Sequence, residues 1–203
     1  ISKKEAAAIA QELLDKVGLP DPAATMNKYP FELSGGMRQR AMIAMALSGT
    51  PELLIADEAT TALDVTIQAQ IIRLLRTISK GSEMSILLIT HDIALIAELA
   101  DRVMVMYAGQ IIEVADVREL FANPLHPYTK LLIKATPGIL DETGTRLESI
   151  PGTVAENYST IKGCRFAGRC PFSTPECGEP IRTVDVGGTS KHLVRCRLLY
   201  KDE

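Results

Sequence analysis

The sequence predicts an α/β protein built on a largely parallel sheet, followed by a small irregular cysteine-rich tail. Helical and buried-strand patterns alternate through residues 1–135. Two short apolar runs in that stretch each end in polar, chemistry-bearing side chains. Residues 136–203 differ in composition, with 8 of the 14 glycines, 5 of the 11 prolines and all 4 cysteines. That shift places a domain boundary near Thr136-Pro137-Gly138, giving domains 1–135 and 136–203.

Ile9, Leu13, Leu14 and Val17 share one face of a first helix, which Gly18 and Pro20 stop. Asp21 to Pro30 reads as loop. Ser34, followed by Gly35-Gly36, opens a second helix through Met37–Leu47, stopped by Gly49 and Pro51. Leu53–Ala56 suits a fully buried strand and runs into Asp57-Glu58. Ile67, Ile71, Leu74, Leu75 and Ile78 give helical spacing over 65–78. Met84–Thr90 is a second apolar strand, followed by His91-Asp92 and a helix to Ala100. Arg102–Tyr107 and Gln110–Val114 flank Gly109 as a hairpin.

Lys+Arg total 22 and Asp+Glu 25, a net charge of −3, which carries no global electrostatic footprint for nucleic acid. With 46% hydrophobic and 23% charged residues, and a mean hydropathy of +0.11, the composition is globular. The longest uncharged stretch, Ala41–Pro51, is 11 residues, too short to cross a bilayer. The amino end, Ile1-Ser-Lys-Lys-Glu, has no signal-peptide pattern.

In parallel α/β sheets chemistry gathers at the carboxyl ends of strands. Asp57-Glu58 and Thr90-His91-Asp92 sit there, downstream of a glycine-led helix start. A single acidic pair reads equally well as a solvated loop, and Ser-Gly-Gly alone as an ordinary N-cap. Together they suit a nucleoside triphosphate. Ser34-Gly35-Gly36 offers a hydroxyl, bare amides and the positive end of a helix dipole to a phosphate. Asp57 suits Mg²⁺, Glu58 an attacking water, and His91 the terminal phosphate.

Leu33-Ser34-Gly35-Gly36-Met37-Arg38-Gln39-Arg40 resembles the signature of ABC ATPases. Leu53-Leu-Ile-Ala-Asp57-Glu58 resembles Walker B with its catalytic glutamate, Thr61-Ala62-Leu63-Asp64 the D-loop, and Thr90-His91-Asp92 the H-loop. Ala59 stands where that family usually has proline. The resemblance implies a P-loop-NTPase-type ABC ATPase domain, represented by its carboxyl-terminal part with the helical subdomain. It implies ATP and Mg²⁺ as ligands, Glu58 and His91 as catalytic residues, and Leu33, Ser34, Gly35, Gly36, Gln39 and Asp64 as nucleotide contacts across a head-to-tail dimer. No Gly-Lys dipeptide occurs, and Gly163 and Gly168, which share the P-loop spacing, are followed by Arg169-Cys170. The expectation is therefore that the chain lacks the P-loop, begins within the helical subdomain, and does not hydrolyse ATP alone.

Asn123-Pro-Leu-His126-Pro-Tyr128-Thr-Lys-Leu-Leu, Ile150-Pro-Gly-Thr and Gly163-Cys-Arg-Phe-Ala-Gly-Arg-Cys170-Pro resemble the dipeptide, oligopeptide and nickel importer ATPases, and Gly36-Met37-Arg38-Gln39-Arg40 their D-type subunit. That resemblance implies an F-type paralogue as second ATPase subunit, two transmembrane permease subunits, an extracytoplasmic substrate-binding protein, and a peripheral position on the cytoplasmic face of the cell membrane. Cys164, Cys170, Cys177 and Cys196 are spaced C-x5-C-x6-C-x18-C. A reducing compartment disfavours disulfides, and the close C-x2-C pairs usual for structural zinc are absent. The long spacings and the Cys170-Pro171 step suit a [4Fe–4S] cluster better, with Zn²⁺ or free thiols as alternatives, and the resemblance points to the cluster. Arg165, Arg169, Arg195 and Arg197 would offset its charge. His126 reads as a loop-to-helix entry with Pro127 in the first turn, and His192 as an alternative ligand. Two other functions compete. One is a non-transport ABC ATPase of DNA-repair or chromosome type, whose coiled-coil insertions and basic stretches are missing. The other is a regulatory metal-cluster module.

Overall fold

A computed structural model describes residues 1–59, 64–81, 83–136, 149–187 and 190–200. The chain forms two compact units, Ile1–His91 and Asp92–Glu203. The compositional boundary at 135/136 thus falls inside the second unit, because strands on either side of it pair. Pro137-Gly138, on which that boundary was drawn, lie outside the described residues.

The first unit runs α1 (Lys3–Lys16), α2 (Pro22–Thr25), α3 (Gly35–Leu47), β1 (Leu53–Asp57), α4 (Val65–Lys80) and β2 (Ser85–Ile89). Ser2 and Glu5 form a reciprocal capping box on α1. Val17, Leu19, Ile43, Leu47, Leu54, Ile71, Leu75, Ile78 and Met84 make the core. Arg40 joins three helices by donating to Val17 O (2.6 Å) at the end of α1 and to Gln70 Oε1 (3.0 Å) on α4. β1 and β2 pair in parallel, Leu53 with Ser85 through Asp57 with Ile89. The expectation of a fully buried first strand is corrected here. Leu54 and Ala56 face the core, but Leu53 and Ile55 are more than half exposed, since the unit covers one face of this sheet.

The second unit contains α5 (Ile93–Leu99), β3 (Arg102–Tyr107), β4 (Gln110–Asp116), α6 (Val117–Ala122), α7 (Pro127–Lys134), β5 (Val184–Asp185) and β6 (Leu193–Val194). Ala108 and Gly109 both take left-handed φ (46° and 77°), the requirement of a tight two-residue hairpin turn between β3 and β4. The sheet is antiparallel, ordered β3-β4-β6-β5. Tyr107, Tyr128 and Phe166 pack as edge-to-face and tilted rings in its core, with centroids 4.8–5.3 Å apart.

Glu113 on β4 has 0% exposure, yet every observed partner of its carboxylate is a donor or an imidazole. Leu125 N–H donates to Oε1 (2.8 Å) and His126 N–H to Oε2 (3.0 Å), fixing the entry to α7. His192 Nε2 lies 2.8 Å from Oε1, fastening the segment before β6. Removing one member of a buried charged network leaves the others desolvated without partners. Glu113→Ala is therefore expected to lower unfolding free energy by about 3–5 kcal/mol in urea titrations followed by circular dichroism, and Glu113→Gln by less.

Candidate functional site

The carboxyl ends of β1 and β2 lie level, because their register pairs Asp57 with Ile89. Asp57 is exposed at the tip of β1. Glu58 follows at φ 45°, a left-handed conformation rare for a side chain of its size, and its N–H donates to Ile89 O at 2.9 Å. That bend turns the Glu58 carboxylate to His91, whose Nδ1 lies 3.3 Å from Oε1. Both side chains are at least half exposed, so the pair is open to ligand rather than a buried staple. The structure thus brings together two sequence-predicted residues that stand 33 positions apart.

Leu33 to Gln39 lie at a separate helix start. Ser34 is extended (φ −63°, ψ 163°), and its Oγ accepts from Met37 N–H at 3.3 Å. The first intrahelical bond runs from Arg38 N–H to Ser34 O, so the amides of Gly35 and Gly36 precede it. Arg38 closes the approach by donating to Leu33 O (3.1 Å). Gly36 is buried against α4: a Cβ there would stand 2.8 Å from Ile67 Cγ2. Asp64 N-caps α4, its Oδ1 accepting from Ile67 N–H at 2.9 Å, so one carboxylate oxygen is occupied structurally. Thr61, Ala62 and Leu63 of the D-loop resemblance lie outside the described residues.

In the second unit, all four cysteines line one cavity, with His126, Phe172, Ile181, Arg197 and Leu198 among the other walls. Cys164 N–H donates to Cys177 O at 2.8 Å, and Gly163 is needed because a Cβ would collide with that carbonyl. A short helical turn at Ala167–Arg169 carries the chain from Cys164 to Cys170. The four are free cysteines. Burial pushes the Cys164, Cys170 and Cys196 thiols up, Cys196 to about 11, and neighbouring sulfurs add to it. The four thiols share the cavity with the imidazole of His126 and the guanidinium of Arg197. Among the described residues no group of three or more His, Cys, Asp or Glu is gathered closely enough to hold a metal ion.

Two expectations about this cavity are corrected. His192 does not line it: the buried Glu113 carboxylate holds its Nε2. Arg197 lines the cavity, whereas Arg165 donates to Ala108 O and Arg169 to Pro151 O (2.7 Å) and Ile150 O (3.1 Å). His126 does cap α7, its Nδ1 accepting from Tyr128 N–H at 3.0 Å. Burial lowers its basicity to about 4, against the opposing pull of Glu113. Sequence reasoning missed Glu113 and Arg40. A lone glutamate in an apolar strand was a signal for the first, but its histidine partner lies 79 residues on.

Two family models match parts of this chain. The family described as "ABC transporter" matches residues 2–61, and "Oligopeptide/dipeptide transporter, C-terminal region" matches residues 112–177. The Dipeptide transport ATP-binding protein DppD of Escherichia coli (strain K12) is 52% identical over 168 residues, covering 83% of this chain and 51% of that protein. The chain belongs to the oligopeptide/dipeptide importer ATPase family. A protein of Brucella melitensis named for peptide import and ATP binding is 51% identical over 177 residues, 87% of this chain and 53% of its own length. The chain spans about half the length of the curated relatives it matches. A solved structure, the ATP-binding cassette MJ0796 as a post-hydrolysis dimer bound to ADP and Pi, aligns with a TM-score of 0.51 at 30% identity. It covers 58% of this chain and 50% of that one, and supports the P-loop ATPase α/β fold.

The packing of Gly36 is directly testable. Gly36→Ala forces Ile67 aside and is expected to cost about 1–3 kcal/mol in urea unfolding. Ile67→Ala in the same chain should cost less in the Gly36→Ala background than alone, a coupling read from a double-mutant cycle.

Proposed function

We propose that this chain serves ATP hydrolysis in a peptide importer, through two half-sites at the ends of its own elements. The observation that carries the reading is the Glu58–His91 pair on adjacent strand tips, beside Asp57. Leu33, Ser34, Gly35, Gly36 and Gln39 form the signature half-site, in which the glycine amides and the α3 dipole meet the terminal phosphate of ATP held by a partner. Asp64 caps α4 through Oδ1 and would meet the nucleotide through its other carboxylate oxygen.

The exposed carboxylate of Asp57 fits Mg²⁺, which when bound neutralises charge on the transferring phosphate. Glu58 orients the attacking water and takes its proton as the water oxygen bonds to the γ-phosphorus. The bond from that phosphorus to the bridging oxygen breaks, and ADP leaves with the electron pair. His91, held by Glu58 through Nδ1, keeps Nε2 for the terminal phosphate. An exposed residue in left-handed backbone beside this chemistry is the kind of strain that functional sites retain.

The partners follow from the same reading. An F-type paralogue completes the nucleotide sandwich, two transmembrane permease subunits carry the cargo, and an extracytoplasmic binding protein selects it. The assembly sits on the cytoplasmic face of the membrane, and the chain takes the D-type position. Tyr29 and Phe31, stacked at 5.5 Å and mostly exposed, offer an apolar contact for such a partner. Relatives named for peptide and dipeptide transport favour peptide over nickel as cargo. For Cys164, Cys170, Cys177 and Cys196 to hold the expected [4Fe–4S] cluster, or Zn²⁺ as the alternative, their sulfurs would have to draw closer together than they stand here.

In the transporter reconstituted from this chain and its partners, Glu58→Gln is expected to reduce ATP turnover by about 10²-fold or more while leaving nucleotide binding in place. Turnover unchanged by Glu58→Gln would remove Glu58 from the chemistry and with it this reading.

A further inference from the structure

The antiparallel sheet of the second unit has a face that the nucleotide chemistry does not use. Met106 pairs with Ile111, and Val114 with Leu193. With Thr183 and Arg195, these four apolar side chains line an open groove of about 520 Å³, a volume in the range of small-molecule sites. Arg195 stands two residues beyond Leu193, and its backbone N–H is fixed by donating to Ile112 O at 2.8 Å. Four other arginines of this unit are engaged: Arg165 and Arg169 donate to backbone carbonyls, and Arg182 and Arg197 rest on the Tyr200 ring. Arg195 differs. It is half-buried, its Nε is shielded from water without an acceptor, and among the described residues its guanidinium has no partner. Glu113 borders the groove but gives its carboxylate to Leu125 N–H, His126 N–H and His192. Asp185, opposite Leu193, accepts from Gly187 N–H and His192 N–H. A partly desolvated cation is thus left beside an apolar floor with its hydrogen-bonding capacity unspent.

We infer that this groove binds a small organic anion with one carboxylate and an apolar body. The carboxylate pairs with Arg195, and the body lies on Met106, Ile111, Val114 and Leu193. A guanidinium presents parallel N–H groups that match the two oxygens of a carboxylate, and partial burial strengthens that pairing. Thr183 adds one exposed hydroxyl. One cation and one hydroxyl are too few for the phosphates of a nucleotide, and inorganic phosphate would leave the apolar floor uncovered. Two sources share the chemistry that fits: the free carboxyl end of a short apolar peptide, and a medium-chain fatty acid. The site lies wholly within the second unit and depends neither on Glu58 and His91 nor on the cysteines.

Isothermal titration calorimetry of the chain with leucyl-leucine, its carboxyl-terminal amide leucyl-leucinamide, and octanoate tests the site. At least one of the two carboxylates should bind with one-to-one stoichiometry, and the amide should bind at least about tenfold more weakly than leucyl-leucine. Arg195→Gln should weaken the bound carboxylate by about tenfold or more, with a urea midpoint close to wild type because the guanidinium has no partner to lose. Ile111→Asp, at a position 45% exposed, should weaken the same ligand by placing a negative charge on the apolar floor. Tighter binding of leucyl-leucine assigns the groove to peptide ends, and tighter binding of octanoate assigns it to fatty acids. Either supports the inference. Failure of both carboxylates to bind the folded chain overturns it, and so does an affinity unchanged by Arg195→Gln or by amidation of the peptide.

Discussion

The parallel register of β1 and β2 is the constraint on which the proposed nucleotide chemistry depends. Pairing Asp57 with Ile89 ends both strands at one level, and the Glu58 N–H then closes onto Ile89 O. Glu58 takes left-handed backbone as it makes that bond, and its carboxylate then lies beside His91. A one-residue slip would reverse the faces of every strand side chain and separate the pair. The strain at Glu58 is thus held by ladder hydrogen bonds and by the core contacts of Leu54 and Ala56 beneath it.

A different device organises the second unit. One wholly buried carboxylate, Glu113, binds the backbone entering α7 and the imidazole preceding β6. Those two attachments bring His126 and the Cys196 segment to the cavity that Cys164, Cys170 and Cys177 also line, from the two short turns at Ala167–Arg169 and Pro175–Gly178. Arg195 N–H, donating to Ile112 O at 2.8 Å, extends the same strand pairing up to the residue before Cys196. The cavity is therefore assembled by a polar network in a region whose short strands offer little apolar area of their own.

Much of this was legible in the sequence. Ser34 with two glycines forecasts an N-cap and helix start, and the helical spacing of Ile67, Ile71, Leu75 and Ile78 forecasts α4. The polar residues ending each apolar run forecast the Glu58 and His91 positions. Other features depend on tertiary pairing that has no local spacing. The Glu113–His192 bond spans 79 residues, and β4 pairs with β6 across the compositional boundary. Composition marked where the chain becomes irregular, not where the contacts divide. The exposed face of β1 escaped notice for a related reason, since a continuous apolar run reads the same whether one face is covered or both.

Hydrogen–deuterium exchange of the reconstituted transporter, with and without Mg²⁺ and ATP, tests the central claim most directly. The account predicts that nucleotide slows exchange at the amides of Gly35 and Gly36, which precede the first bond of α3. Unchanged exchange at those two amides, under conditions where ATP is bound and turned over, would contradict it.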